Sequence, residues 1–310
     1  MINPGRMILA LQQNIGKAVV GKEEAIEYAL IALLCKGHVL IEDVPGVGKT
    51  TLASALARSL DCSFRRIQFT PDLMPSDVTG FTLVNFKTGE MEYKEGAVMS
   101  QIVLADEINR TSPKTQSALL EVMEEHKVTI DGKEIAIPEP FMVIGTQNPA
   151  EMAGTYPLPE SQLDRFMMKL SIGYPDVTAS QDMAKRFIEG QLHSRTMPVL
   201  NAKDLIEMQN EVKQVSIHAN LLTYAAEIVD MTRNKAEIAC GASPRAFLSM
   251  LRCAQALACM DERTYCIPED IAESASLTLP HRLILTNGAK LSRITKEDLV
   301  KTILGQVKVQ

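Results

Sequence analysis

Thirteen residues, VLIEDVPGVGKTT (Val39 to Thr51), combine a short apolar run, a turn with two glycines and a Gly-Lys-Thr ending. Those types in that order suit the cradling of an anion with several phosphates. Around Pro45, Gly46, Val47 and Gly48, backbone N–H groups can close on phosphate oxygens, an approach that a Cβ would obstruct. A helix beginning near Lys49 turns its positive end to the same anion. Lys49 can reach the outer phosphates of a nucleoside triphosphate, ATP before GTP. The Thr50 hydroxyl can help hold Mg2+, and Thr51 continues the run into the helix. The full pattern places glycine where Asp43 stands, and aspartate tolerates unusual backbone angles better than most residues. A plain glycine turn in an α/β protein is the competing reading. The strand-to-helix setting of Gly48-Lys49-Thr50 favours the phosphate site.

A phosphate cradle hydrolyses nothing by itself. The run IVLADE (Ile102 to Glu107) is an apolar strand ending in two acids. Asp106 can coordinate Mg2+ directly or through water, and Glu107 can orient or deprotonate an attacking water. A strand ending at a solvated turn would look much the same. The run FMVIGTQN (Phe141 to Asn148) is another apolar strand with polar groups at its end. The Asn148 amide can hydrogen-bond a γ-phosphate or the attacking water. Taken alone, a turn residue before Pro149 is the better reading of Asn148.

Positioning these groups requires a parallel sheet with helices on both faces. Strands are expected at 38–42, 64–69, 102–105, 141–145 and 167–172, with helices at 23–34, 49–60 and 113–125. Ser112 is the expected N-cap of the last, with Pro113 in its first turn. Two hairpins interrupt the rhythm, one around Asn85 to Gly89 and one from Val128 to Ile137 with Asp131-Gly132 at its turn. After Pro175 strand-like runs give way to helical patterns at 178–189, 202–214, 219–234, 244–260 and 268–277. The expected organisation is an α/β core over residues 1–190 and a small helical domain over 191–310.

The chain has 310 residues, 46% hydrophobic and 23% charged, with a net charge of −6. The charge argues against a dedicated nucleic-acid binder. Six scattered cysteines without paired metal-ligand spacing read as buried thiols in a reducing cytoplasm. The longest apolar run, Ala29 to Cys35, is too short to span a bilayer. A cytoplasmic location with no membrane segment is therefore expected. Asn234-Lys-Ala-Glu237 resembles a guanine-reading pattern but ends in glutamate, and reads as a solvated helix end.

Taken in order, Val20-Gly21, Pro45 to Thr51, Asp106-Glu107, Thr146 to Asn148, Leu163 to Phe166 and Ser243-Pro-Arg245 resemble an AAA+ ATPase. More closely they resemble the MoxR group, through Asp106 to Arg110, Gly145 to Pro149 and Tyr156 to Phe166; similar proteins also carry the acid at Asp43. The resemblance implies a P-loop NTPase core with a parallel sheet flanked by helices, followed by an all-α lid. It further implies that the Gly21 backbone approaches the adenine and that Asn148 senses the γ-phosphate. By the same resemblance Arg165 is an arginine finger reaching a neighbouring subunit's nucleotide, although an ion pair with Asp164 remains open for it. Arg245 becomes the lid sensor, acting on its own nucleotide or its neighbour's. Arg110 receives no catalytic role.

The implied activity is ATP hydrolysis with Mg2+ in a ring, six subunits being the expected count. The implied role is chaperone-like, on a protein client and with a partner carrying a von Willebrand A-type domain. A DNA-working motor related to MCM helicases and a scaffold with little turnover are the alternatives. Both hairpins match insertions of the clade shared with magnesium-chelatase ATPase subunits, although plain surface hairpins would read alike. If the resemblance holds, the Asp131 to Lys133 turn moves during the nucleotide cycle. Its hydrogen exchange is expected to differ between the ATP-analogue, ADP and nucleotide-free states; identical exchange in all three would sink that expectation.

Overall fold

The computed structural model describes residues 4–149, 155–189 and 196–309. Two helices, α1 (Pro4–Gly16) and α2 (Glu23–Leu34), precede β1 (Val39–Glu42). The chain continues through α3 (Lys49–Ser59), β2 (Phe64–Gln68), a short α4 (Pro75–Thr79) and the hairpin β3 (Gly80–Val84) and β4 (Met91–Glu95). Next come β5 (Ile102–Asp106), α5 (Pro113–Glu125), the hairpin β6 (Lys127–Ile130) and β7 (Lys133–Ala136), β8 (Met142–Gln147), α6 (Glu160–Leu163) and β9 (Met168–Leu170).

The five strands expected from the sequence form one sheet in the order β2-β5-β8-β1-β9, with every neighbouring pair parallel. Alternate residues serve two different cores. Val39, Ile41, Ile102, Leu104, Met142 and Ile144 face α2 and α3. Leu40, Val103, Ala105 and Val143 face the opposite layer with Leu119, Leu120 and Met123 of α5. Burial on both faces is why β1, β5 and β8 read as continuous apolar runs rather than alternating ones. Helix α5 starts where Ser112 caps it, its side chain accepting from the Thr115 N–H. The sequence reading did not single out α1. Its stripe of Ile8, Leu11 and Ile15 lies buried against α2, α3 and the later helices.

Beyond the sheet lie α7 (Val177–Ile188), α8 (Ala202–Gln214), α9 (Ala219–Asn234), β10 (Ile238–Cys240), α10 (Pro244–Met260), α11 (Pro268–Thr278), β11 (Ile284–Leu285), α12 (Asn287–Leu291) and α13 (Lys296–Gln306). The helical character expected here is present, with an addition. Strands β10 and β11 form a small antiparallel pair, too short to leave a period in the sequence. The expected boundary after residue 190 lies outside the described residues. The helical part does not stand apart from the sheet, because Met250, Cys253 and Leu257 of α10 belong to the same apolar core as α2 and β1. Gln209 of α8 also donates to the Leu33 carbonyl of α2 at 2.8 Å. All six cysteines are free thiols, but only Cys253, Cys259 and Cys266 are buried as expected; Cys35 and Cys62 are partly exposed and Cys240 is exposed.

Two buried histidines join layers. His38 accepts the Val143 N–H at Nδ1 (3.0 Å) and meets the Met123 carbonyl at Nε2 (2.9 Å), so Nε2 carries the proton. His281 meets the Phe166 carbonyl at 3.0 Å in the same way. Burial first of all pushes their pKa values down, to about 4 for His38 and about 3 for His281, from 6.5. Below pH 6.5 the unfolded chain therefore takes up protons that the folded chain refuses, and stability falls as pH falls. Glu27 and Glu273, raised by burial and by neighbouring acids, act in the opposite direction. Between pH 7.5 and pH 5 urea melts should lose about 2–4 kcal/mol through the two histidines. His38→Gln and His281→Gln should each flatten that pH slope while lowering stability at pH 7.5; an unchanged slope would contradict the assignment.

Candidate functional site

Because the strands are parallel, their carboxyl ends share one edge of the sheet, and the polar residues found in the sequence collect there. After β1 the chain turns through Pro45 to Gly48 into α3. Gly46 (φ 85°) and Gly48 (φ 98°) both adopt the left-handed region, and Gly48 is the residue from which α3 starts. Val47 is buried in the core and anchors the loop, whereas Pro45 and Gly46 stay exposed. Lys49, Thr50, Thr51, Asp106, Glu107 and Asn148 line a cavity of about 360 Å3 with this loop. An adjoining cavity of about 240 Å3 shares Gly46, Gly48 and Thr51, and its apolar walls include Ala18, Val19, Val20 and Met183. The loop thus separates a polar compartment from one with a largely apolar wall rimmed by Lys17, Lys22 and Arg186, an arrangement that a triphosphate and its base would fit.

Asp43 does not act as a stand-in for glycine. Its carboxylate Oδ2 accepts the N–H groups of Ile172 (2.5 Å) and Gly173 (2.8 Å) and the Ser171 hydroxyl (3.0 Å), while Oδ1 accepts the Val44 N–H (3.2 Å). The acid ties the start of the loop to the end of β9. Burial by itself would raise its pKa; those hydrogen bonds outweigh burial and hold it below the usual carboxylate value. Lys49 Nζ donates to the Asp43 carbonyl at 2.6 Å. Burial depresses the lysine's pKa, and the charges of Asp43, Asp106 and Glu107 draw it back up.

Thr146 is completely buried between the two acids. Its hydroxyl donates to Asp106 Oδ1 at 2.7 Å and accepts the Glu107 N–H at 2.9 Å. That second bond helps hold Glu107 in a left-handed conformation (φ 56°, ψ 50°) uncommon for a residue with a side chain. Glu107 Oε2 accepts from Gln68 Nε2 (2.6 Å) and Arg110 Nη1 (3.0 Å). Asp106 Oδ2 accepts from Arg66 Nη2 (2.7 Å) and Nε (3.0 Å). Asn148 is buried at the cavity wall.

The donor set suits a magnesium ion bound together with phosphate. Among the described residues there is no cluster of three or more His, Cys, Asp or Glu able to hold a metal. Thr50 and Asp106 would contribute a hydroxyl and a carboxylate, leaving phosphate oxygens and water to complete the shell, as Mg2+ commonly requires.

Not every residue singled out in the sequence enters this cavity. Gly21 (φ 68°) packs against α7, where an added Cβ would lie 2.6 Å from the Ala179 Cβ. Its neighbours Val19, Val20 and Lys22 line the second compartment. Arg165 and Arg245 border a separate cavity of about 800 Å3. Both converge on Glu124 of α5, Arg165 Nε at 3.3 Å and Arg245 through Nη2. Arg165 therefore does not pair with Asp164. That acid instead meets the buried Arg282 (Nε to Oδ1, 3.0 Å) and accepts from the Ser243 hydroxyl (2.8 Å), the N-cap of α10. Burial lowers the Arg282 pKa to about 10 despite that partner. Arg282 Nη2 also donates to the carbonyls of Asp164 (3.2 Å) and Phe166 (3.0 Å), fixing the segment that carries Arg165.

Thr146, Gln68 and Arg66 were missed as site residues. Thr146 lies within the polar end of β8, which is a usable signal. Gln68 and Arg66 stand two apart on β2, and nothing local in the sequence pairs them with acids on β5.

Residues 38–168 match the model of a family described as ATPase family associated with various cellular activities (AAA), and residues 230–303 match an AAA lid domain. Over 297 residues the chain is 49% identical to the uncharacterised protein YeaC of Bacillus subtilis, covering 96% of this chain and 93% of that one. Over 303 residues it is 39% identical to Chaperone MoxR1 of Mycobacterium tuberculosis, covering 95% and 80%. A crystal structure of a protein from Cytophaga hutchinsonii, 40% identical, superposes with a TM-score of 0.92 over 98% of this chain and 95% of the other.

Replacing the buried Thr146 hydroxyl by a methyl tests its bridging role. Thr146→Val should leave nucleotide affinity within about threefold, because the loop and Lys49 are untouched, while ATP turnover falls about 10- to 100-fold as the acids lose their alignment. Stability should drop by about 1–3 kcal/mol from the unpaired Glu107 N–H. Turnover equal to wild type, measured beside a nucleotide titration, would contradict the bridging role.

Proposed function

Because this chain belongs to the MoxR family of AAA+ ATPases, we propose that it hydrolyses ATP with Mg2+ at the junctions of a ring, each site being completed by a neighbouring subunit. That it is an ATP hydrolase of a chaperone-like family follows from the matches above. The junction reading rests on one observation: Lys49, Thr50, Asp106, Glu107 and Asn148 line one cavity, whereas Arg165 and Arg245 border another. A guanidinium outside its own phosphate cavity can reach another chain's phosphates by exchanging Glu124 for them.

In this reading Lys49, the loop N–H groups and Thr50 hold the phosphates, and Val19 and Val20 flank the base beside Gly21. Asn148 reports the γ-phosphate. Glu107 orients the water and takes its proton as the oxygen attacks the γ-phosphorus and the bond to the β-γ bridging oxygen breaks. Arg165 from the next subunit neutralises charge on the transferred group, and Arg245 couples the lid to it. The bound Mg2+ would supply further charge neutralisation between Thr50 and Asp106. Residues up to 190 act as the nucleotide-binding unit and those from 191 as the lid. A ring of six, a protein client, a partner with a von Willebrand A-type domain and a cytoplasmic setting complete the proposal. Phe86, fully exposed at the tip of the β3–β4 hairpin, supports protein contact. Among the described residues no helix is long and apolar enough to cross a membrane.

ATP turnover across a dilution series, for wild type, Glu107→Gln, Arg165→Ala and a 1:1 mixture of the two variants, tests the junction. Activity should fall on dilution and drop by on the order of 10^3-fold in each variant. It should return in part on mixing, where an intact Glu107 meets an intact Arg165. Turnover indifferent to dilution and to Arg165→Ala would leave a self-sufficient ATPase and remove the finger.

A further inference from the structure

Asp106 has two oxygens with different surroundings. Oδ1 takes the hydroxyl of the fully buried Thr146 at 2.7 Å. Oδ2 takes both Nη2 (2.7 Å) and Nε (3.0 Å) of Arg66, whose side chain is half exposed and lines the phosphate cavity. The register places Gln68 opposite Asp106 and Arg66 two residues before it on the same face of β2. Gln68 Oε1 accepts from the same guanidinium nitrogen at 3.3 Å.

One oxygen of Asp106 is thus already engaged by a permanent cation and the other by the Thr146 hydroxyl. Arginine cannot lose its proton to relieve a conflict with a second cation. A divalent ion that ligates Oδ2 directly must displace the guanidinium or share the oxygen with it, and one held through water still meets its repulsion. We propose that Arg66 is a tethered cation that competes with the divalent metal for Asp106 and so sets how strongly nucleotide binding depends on metal. The proposal rests on the phosphate-site reading given above.

Competition of this kind gives a signature that simple support of β2 does not. Without metal, removal of Arg66 leaves the Asp106 charge uncompensated beside the phosphates, so nucleotide binding weakens. With metal, removal of the competitor lets the ion bind at lower concentration. The two effects have opposite sign, whereas a loosened strand would weaken both.

The test is ADP binding by calorimetry, in EDTA and across a Mg2+ series. Wild type, Arg66→Ala, Arg66→Lys, Asp106→Asn and the Arg66→Ala/Asp106→Asn pair are compared, with Lys49→Ala as the control for the phosphate site. Arg66→Ala should weaken metal-free ADP binding about three- to tenfold and lower the Mg2+ concentration of half-effect by a similar factor. In the Asp106→Asn background the same change should no longer move that concentration. Arg66→Lys, which keeps the charge without the fork, should fall between, and it carries the test if the alanine variant does not fold. An unchanged or raised Mg2+ midpoint in a folded Arg66 variant overturns the proposal while Lys49 dependence persists. ADP binding indifferent to Lys49→Ala would instead overturn the phosphate site, and this inference with it.

Discussion

The central strands β1, β5 and β8 of the parallel sheet are covered on both faces, and the placement of the candidate functional residues depends on that constraint. A strand buried on both sides has no lateral exit for polar groups, since each unpaired one would meet apolar side chains. Polar residues of those strands can then gather only at their ends. In an all-parallel sheet the carboxyl ends of β1, β2, β5 and β8 lie along one edge. The loop after β1, the acids after β5 and the amide after β8 are therefore drawn together although far apart in the chain. The same edge is where ligands bind in open α/β sheets generally.

Edge placement alone would leave these groups loosely aimed. Two buried hydrogen-bonding residues remove that freedom. Asp43 gathers the N–H groups that follow β9 onto the root of the phosphate loop. Thr146 spans the two acids at the end of β5 from the neighbouring strand. Each is buried, so losing its partner leaves an uncompensated polar group and not merely one hydrogen bond fewer. Asp43 carries a structural duty at a position where the general loop pattern has glycine, and the loop forms with glycines at Gly46 and Gly48 alone taking positive φ within it.

The arginines divide the surface chemistry in a way their sequence neighbours do not indicate. Arg282 is almost wholly buried and would be costly to desolvate alone. It is kept by Asp164 and by the carbonyls of Asp164 and Phe166. That investment fixes the short segment bearing Arg165 against the start of α10, where Ser243 both caps the helix and donates to Asp164. Arg165 and Arg245 then meet at one carboxylate, Glu124. Lid and sheet are coupled here by charge as well as by the apolar core they share.

Local order was plain in the sequence. The spans at 23–34, 113–125, 202–214, 219–234 and 244–260 agree with the observed helices because periodicity and end signals lie within each segment. Serine followed by proline marks two of those starts, and both serines cap as their position requires. The phosphate loop and Asp106-Glu107 were legible for the same reason, each being contiguous with the strand that delivers it, whereas Asn148 alone read as a turn residue and gained its expected role from the family resemblance. Helix α1 escaped notice because its buried stripe acquires meaning only against α2, α3 and α10, and the β10–β11 pair is shorter than any detectable period. Arg66 and Gln68 gain their partners from the order β2-β5, and Thr146 from the order β5-β8, neither of which a linear pattern encodes. The sequence determined which residues could cradle phosphate, carry the acids and begin the helices, since those properties need only neighbours along the chain. Tertiary structure alone decided which carboxylate each cation meets, because the distance between Arg66 and Asp106, or Arg165 and Glu124, is set by strand order, register and helix packing.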